Sequence, residues 1–325
     1  MFDSGQIIPF LGDVNKTFWF PEQASTFAPE IDSFYNAILY VSYVFFFLII
    51  IPMGYFMWKY RMRPGYKGSP EALHNNALEI TWTIIPTFIV VWIFARGTVG
   101  YLDMAKPPEG DLLEIKVQAQ KWAWSFEYPN GAIDTNLHLP RDKAVKLTMR
   151  SDDVLHSLFV PAFRAKTDIV PGRYNVMWFQ PTKNGEYDLF CTEYCGDKHS
   201  QMVAKTIVHD QADYDKWVLE AAKPPIDPVE HGKWLYERRG CKSCHSIDGK
   251  KVIGPSFKGG WGKEVVLAKG SPVRFDENYV RTSILDPQAM ARDGYQTASA
   301  MPSYQGRLKE KEIMALIEFM KSLKD

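Results

Sequence analysis

From Phe34 to Trp58 the chain reads FYNAILYVSYVFFFLIIIPMGYFMW, without one charged residue. At about 1.5 Å per residue, a helix over this run is long enough to cross a hydrocarbon layer of about 30 Å. A second uncharged run, Ile80 to Ala95, lies between Glu79 and Arg96, and Gly97–Leu102 can extend it. Arg96 would then snorkel or face a partner subunit. Two buried core helices are the competing reading, but the first run is too long and too apolar for one. Pro52 and Pro86 are tolerated in membrane helices as kinks. The expected unit is a two-helix transmembrane hairpin over residues 34–102, with helices near 34–60 and 77–102.

Charge sets its orientation. The connection holds Lys59, Arg61, Arg63 and Lys67, whereas the tail before Phe34 holds only Lys16. Basic loops stay cytoplasmic, so the N-terminal tail (1–33) and everything after about Asp103 are expected outside the cytoplasm. No basic segment followed by an apolar one opens the chain, which argues against a cleaved signal peptide. The aromatics Phe10, Phe18, Trp19, Phe20 and Phe27 suggest that the tail touches the membrane surface or a partner. A formal net charge of zero argues against nucleic acid as a partner.

Beyond Lys106-Pro107-Pro108 come short apolar runs separated by turns, such as AVKLTMR, LHSLFVP, GEYDLF and MVAKTIVHD. They predict an antiparallel sandwich or barrel over residues 103–222. Between the last two runs stands CTEYCGDKHSQM, which brings Cys191, Cys195, His199 and Met202 into one loop. Thiolate and thioether are soft donors suited to copper, and two cysteines can each bridge a pair of metal ions. Zinc accepts Cys and His but has little use for Met202, and a Cys191–Cys195 disulfide would leave His199 and Met202 unexplained. One more ligand is expected from elsewhere: His156 is the natural candidate, with His138 and His209 as rivals.

A Pro-rich link, residues 223–228, leads to a second chemistry. Cys241-Lys242-Ser243-Cys244-His245 is a C-x-x-C-H motif, in which two thioethers attach a haem and the adjacent imidazole faces its iron. A thioredoxin-like pair is the alternative, without the βαβ pattern it requires. The sixth iron ligand is expected from the methionines downstream, Met290 and Met301 in loops, Met314 and Met320 within a final amphipathic helix. The four cysteines divide evenly between the two sites.

Four segments, LEITWTIIP, KWAWSFEYPNG, DDVLHSLFVPAFRAKTDIVPGR and CTEYCGDKHSQM, resemble subunit II of haem–copper cytochrome oxidases, over the stretch from the first membrane helix to about residue 222. The resemblance implies a cupredoxin domain holding binuclear copper A, with His156, Cys191, Cys195, His199, Met202 and the Glu193 carbonyl as ligands. It also implies that the Glu193 side chain reaches a magnesium ion at the interface with subunit I. Trp122 would be the exposed residue at which electrons arrive from cytochrome c, while Trp124, Phe126 and Tyr128 fit a packed core equally well. Glu79 would stand at the mouth of a proton path, or would simply end a helix at the membrane surface. Asp168 and Arg173 are expected to make structural polar contacts below the copper loop.

Residues 229–325 resemble a small all-α class I cytochrome c, on the order helix, C-x-x-C-H, Gly254-Pro255, Met301-Pro302, terminal helix; His245 and Met301 would be the axial ligands, with Met290 the competitor. The chain as a whole is therefore multidomain: membrane hairpin, all-β cupredoxin and cytochrome c domain. By the same resemblance it would pass electrons from haem c to copper A and on to subunit I, which reduces dioxygen to water. The helices contain no histidine, so the dioxygen site belongs to a partner chain. The donor would be a soluble cytochrome c or a membrane oxidoreductase. The input subunit of a nitric oxide reductase and a membrane-anchored copper-delivery factor are the alternatives; Met202, Glu193 and a covalent haem speak against the latter. A tethered donor docks intramolecularly, at an effective concentration on the order of mM.

Overall fold

Two long helices carry the uncharged runs, α1 (Ala28–Lys59) and α2 (Asn76–Ala105). The computed structural model describes residues 20–65, 74–295 and 301–323; Phe10, Lys16, Phe18, Trp19 and Lys67 lie outside them. α1 starts earlier than expected because Pro29 and Glu30 both suit a first helical turn. α2 starts at Asn75, whose side chain accepts from the Leu78 amide at 3.1 Å. The Glu79 carboxylate accepts in turn from the Asn75 amide at 3.1 Å, so it helps to fix this helix start. Apolar side chains point outward all around both helices, as lipid-facing helices require. Within the hairpin, Arg96 pairs with Glu30 at 3.1 Å rather than standing alone, and Phe34 packs against Trp92 and Gly97.

Phe27–Lys106 form one compact unit, and the described residues before and after it form a second. The second unit contains a two-sheet sandwich made of β1 (Leu113–Gln120), β2 (Ala123–Glu127), β3 (Ile133–Asp134), β4 (Leu137–Pro140), β5 (Val145–Ser151), β6 (His156–Val160), β7 (Ala165–Ile169), β8 (Asn175–Phe179), β9 (Gly185–Cys191) and β10 (Val203–His209). One sheet runs β3-β2-β1-β5-β8 and the other β4-β10-β9-β6-β7. The sandwich is not wholly antiparallel as the turn-rich sequence suggested: β1 pairs with β5, and β4 with β10, in parallel. Long excursions separate these partners in sequence, and only such connections permit parallel pairing.

Alternation along each strand builds the core. Ile115, Val117, Leu147 and Met149 of one sheet face Leu139, Leu158, Val160 and Leu189 of the other, all essentially buried. Each such side chain contributes about 1.5–3 kcal/mol by leaving water. Trp124, Phe126 and Tyr128 belong to this core, as the plainer of their two readings had it. Residues 24–26 of the N-terminal tail are also tied to the sandwich, through Ala24 N to Ala162 O and Thr26 N to Gln180 O.

A helix missed in the sequence, α3 (Gln211–Ala221), closes the sandwich, with Trp217 stacked on His138 at 3.9 Å. The haem-motif domain follows: α4 (Pro228–Arg238), α5 (Glu277–Leu285) and α6 (Glu310–Ser322), with a two-residue ladder pairing β11 (Glu264–Val265) and β12 (Val273–Arg274). Asp227 caps α4 by accepting from the Val229 and Glu230 amides, and Pro228 occupies its first position. α4 crosses α6 at Gly232, where a Cβ would stand 2.1 Å from the Ala315 carbonyl oxygen. Only glycine allows the two helices so close.

Candidate metal centre and haem cleft

The end of β9 and the start of β10 hold the cysteine-rich loop at both ends. The Cys191 amide donates to the Met202 carbonyl at 3.1 Å, and the Thr192 amide to Ser157 of β6 at 3.0 Å. A short 3-10 turn, His199–Gln201, directs His199 back toward Cys195. The loop's donors converge with His156. Cys191 Sγ lies 3.8 Å from Cys195 Sγ, 3.8 Å from His156 Nδ1 and 3.3 Å from the Glu193 carbonyl oxygen. Cys195 Sγ lies 3.5 Å from His199 Nδ1 and 3.7 Å from Met202 Sδ. All four cysteines are free thiols.

The donor set therefore has two lobes. Each sulfur is flanked by one imidazole and one further donor, a carbonyl at Cys191 and a thioether at Cys195. One tetrahedral zinc takes four ligands and cannot use all six donors, the Glu193 carbonyl and Met202 included. Two copper ions sharing both sulfurs can, so the residues present fit a binuclear copper centre.

The thiols shift in opposite directions. Burial raises Cys191, but the His156 imidazole and backbone amides outweigh it and bring it down to about 6. Burial and the neighbouring Cys191 sulfur push Cys195 up to about 12. Without metal the site holds one thiolate readily and resists a second.

His138 and His209 do not join the site. They hydrogen-bond to each other at 2.9 Å beside Trp217, so His156 is the histidine brought to the sulfurs. Its second nitrogen, Nε2, meets Asp153 Oδ1 at 2.8 Å, and Asp153 Oδ2 accepts from the Lys121 amide at 2.7 Å. Asp153 thus fixes the imidazole's orientation, a role that sequence reasoning missed. Asp168 accepts from Ser157 at 2.7 Å on the neighbouring strand.

Trp122 is the main correction. It is only 9% exposed, and the haem-motif segment packs on the β1–β2 turn at Gly240, where a Cβ would stand 3.0–3.1 Å from Gln120 and Ala123. Its ring lies where a Cβ on Gly196, beside Cys195, would come within 3.1 Å. Its backbone hydrogen-bonds the Cys244 thiol: burial raises that thiol's pKa, while Lys198 of the copper loop and the Trp122 backbone oppose the rise. One residue therefore touches both chemistries.

Cys241–Ser243 form a 3-10 turn at the rim of a cleft of about 1260 Å3, its open mouth included. Cys241, Cys244, His245, Met290 and Met301 all line this cleft, and Gln120 and Lys121 of the sandwich form part of its wall. His245 Nδ1 meets the Pro255 carbonyl at 2.8 Å, so Nε2 is left for iron. Phe257 stacks on the ring at 4.6 Å. On the other side Gly254 leaves room for the imidazole, since a Cβ there would sit 2.6 Å from His245 Cε1. Paired thiols, an oriented imidazole and two candidate thioethers around an apolar cleft fit a covalent haem.

Fold and sites together define a class: a cupredoxin with a two-lobed copper donor set, carrying a c-type cytochrome domain in the same compact unit and a pair of apolar helices. Comparisons with known proteins agree. The family model "Cytochrome C oxidase subunit II, periplasmic domain" matches residues 130–209, that for the transmembrane domain residues 13–96, and that for cytochrome c residues 229–324. Cytochrome c oxidase subunit 2 of Alkalihalophilus pseudofirmus is 33% identical over 297 residues, spanning 87% of this chain and 82% of the relative. The alternative cytochrome c oxidase subunit 2 of Bradyrhizobium diazoefficiens is 32% identical, over 58% of this chain and 79% of its own length. The crystal structure of the periplasmic domain of subunit II from Bradyrhizobium japonicum is 29% identical, with a TM-score of 0.34, and covers 36% of this chain and 96% of that one.

The chain belongs to the cytochrome c oxidase subunit II family, with a cytochrome c domain at its C-terminal end. It is a membrane-anchored component of an oxidoreductase, and its two domains imply copper A and haem c.

Proposed function

We propose that this chain is the electron-input subunit of a terminal oxidase that reduces dioxygen to water on a partner, subunit I. The observation that carries this reading is Trp122, with the copper loop on one side and the haem-attachment segment on the other. Loaded with haem and copper, the two sites would each take up and release single electrons.

The chain's own residues hold these centres in place. Cys241 and Cys244 would anchor a haem, Pro255 and Gly254 set the His245 ring, and Met301 is proposed to supply the second protein ligand to its iron. Asp153 sets His156, and the sheet at both ends of the copper loop limits its movement when charge changes. Because Trp122 is covered, an external donor would deliver electrons at the haem domain rather than at this tryptophan.

The half-buried side chain of Glu193 is the proposed magnesium contact toward subunit I. Glu79 is proposed for the mouth of a proton path, beside its capping contact. The basic connection faces the cytoplasm in this reading, and both redox domains face the other side of the membrane.

Purified protein should give a c-type haem spectrum and a copper resonance shared equally by two nuclei. Met202→Leu should alter that resonance and leave the haem bands unchanged; an unaltered resonance removes Met202 from the ligand set. Dioxygen consumption by the intact complex, without turnover of nitric oxide, is the expected activity.

A further inference from the structure

The cytochrome domain hangs on a short link, residues 222–227, yet its contacts with the sandwich are those of a fixed interface. Arg307 Nη1 meets Asp152 Oδ2 at 2.7 Å, with side chains only 20% and 12% exposed. The other Arg307 nitrogen, Nη2, donates to Gln120 Oε1 at 3.2 Å, and Gln120 Nε2 donates to the Tyr304 hydroxyl at 3.2 Å. That hydroxyl donates onward to the Arg239 carbonyl at 2.9 Å. The Arg307 guanidinium also lies 4.8 Å from the Tyr304 ring centre. On the far side of the β1–β2 hairpin, Arg238 meets Asp134 at 2.6 Å and the Ile133 carbonyl at 2.8 Å. Between these points Gly240 sits against Gln120 and Ala123, where a Cβ would find only 3.0–3.1 Å.

Both ion pairs set a haem-domain arginine on a sandwich carboxylate, and both carboxylates are mostly shielded from water. Exposed ion pairs contribute little, but pairs held this closely, with further hydrogen bonds, fix geometry and register. The haem-domain contacts also adjoin the redox sites directly. Asp152 neighbours Asp153, which holds His156, and Gln120 precedes the Lys121-Trp122 turn.

We propose that Arg307–Asp152 and Arg238–Asp134 form a two-point latch that holds the cytochrome domain docked on the copper domain. These four are positioning residues: they touch neither centre and act by fixing the separation between them. A tether alone would let the domain dock and undock, so the rate of transfer would scale with the docked fraction. The proposal rests on the electron-input reading above, and its test separates the two.

The experiment uses the full chain with both centres loaded. Pulsed electron paramagnetic resonance measures the distance distribution between oxidised copper A and ferric haem, and flash reduction of the haem gives the transfer rate. The unaltered chain should show one narrow distribution. Arg307→Ala combined with Arg238→Ala should broaden it and slow transfer on the order of tenfold as the docked fraction falls. Haem absorbance and the copper resonance should remain those of the parent. A distribution and rate unchanged in the double variant overturn the latch. If that variant folds poorly, Asp152→Asn is read in the same way. The swap Arg307→Asp with Asp152→Arg should restore the narrow distribution, and a broad one counts against this pair. Absence of the copper or haem signal in the parent chain would instead overturn the function proposed above.

Discussion

The copper loop and the haem cleft touch through Trp122, yet the fold prepares them by opposite means. The copper donors stand within reach of one another because β9 and β10 leave the loop little freedom at either end, and β6 supplies His156. The haem cleft is walled largely by irregular segments and by the inner faces of α5 and α6, and its apolar interior is the space the haem would fill. One site is a shape that the sheet already makes. The other is a cleft between loops and helices beside the domain's own packed core, and a haem attached there would add its contacts to the stability of that domain.

The strongest way to break this contrast is to remove haem attachment. Cys241→Ser with Cys244→Ser should lower the melting temperature of the cytochrome domain, followed by circular dichroism, while the copper resonance persists. A haem-free domain that melts at the parent's temperature would overturn the distinction. Next in size, Gly232→Ala drives a methyl into the Ala315 carbonyl and should cost about 1–3 kcal/mol in that domain alone. Denaturant titration followed by haem absorbance measures it.

Asp153→Asn addresses the other side. It keeps the shape but weakens the acceptor for His156 Nε2, and should lower copper affinity about 10- to 100-fold. Competition with a copper chelator checks this, and the haem bands should not move.

The smallest expected effect concerns α3. Burial lowers the His138 pKa to about 4, the Asp134 carboxylate opposing the shift and His209 and Arg238 reinforcing it. An unfolded histidine titrates near 6.5, so the unfolded chain takes the proton first. This contribution to stability is complete above about pH 6.5 and is lost progressively as pH falls toward 4. His138→Phe should flatten the fall in melting temperature between pH 7 and 4.5 without changing the copper signal; parallel curves for parent and variant would falsify the assignment.

The donors that gather around Cys191 and Cys195 were legible because five of the six fall in one short loop and side-chain chemistry alone marks it. The haem motif was legible for the same reason, and the uncharged runs by their length. What escaped depends on contacts made only in three dimensions. Asp153 gains its role when β6 turns His156 Nε2 toward it, and nothing in the string DDVLH separates it from Asp152. Gly232 matters only where α4 meets α6. Trp122 read as exposed because a linear reading cannot show that a domain more than a hundred residues later folds over it. Parallel pairing and the short strands β3, β4 and β7 leave no periodic signature of their own.

The adjacent carboxylates Asp152 and Asp153 carry one more consequence. They point to different neighbours, Arg307 of the cytochrome domain and His156 of the copper site. A one-residue insertion or deletion between Ser151 and Asp153 would move one acid into the other's place and carry that other away from both partners. A substitution at either acid strikes one site alone, but a change in length damages docking and copper binding together. The spacing of this turn should be less free to vary than either of the residues in it.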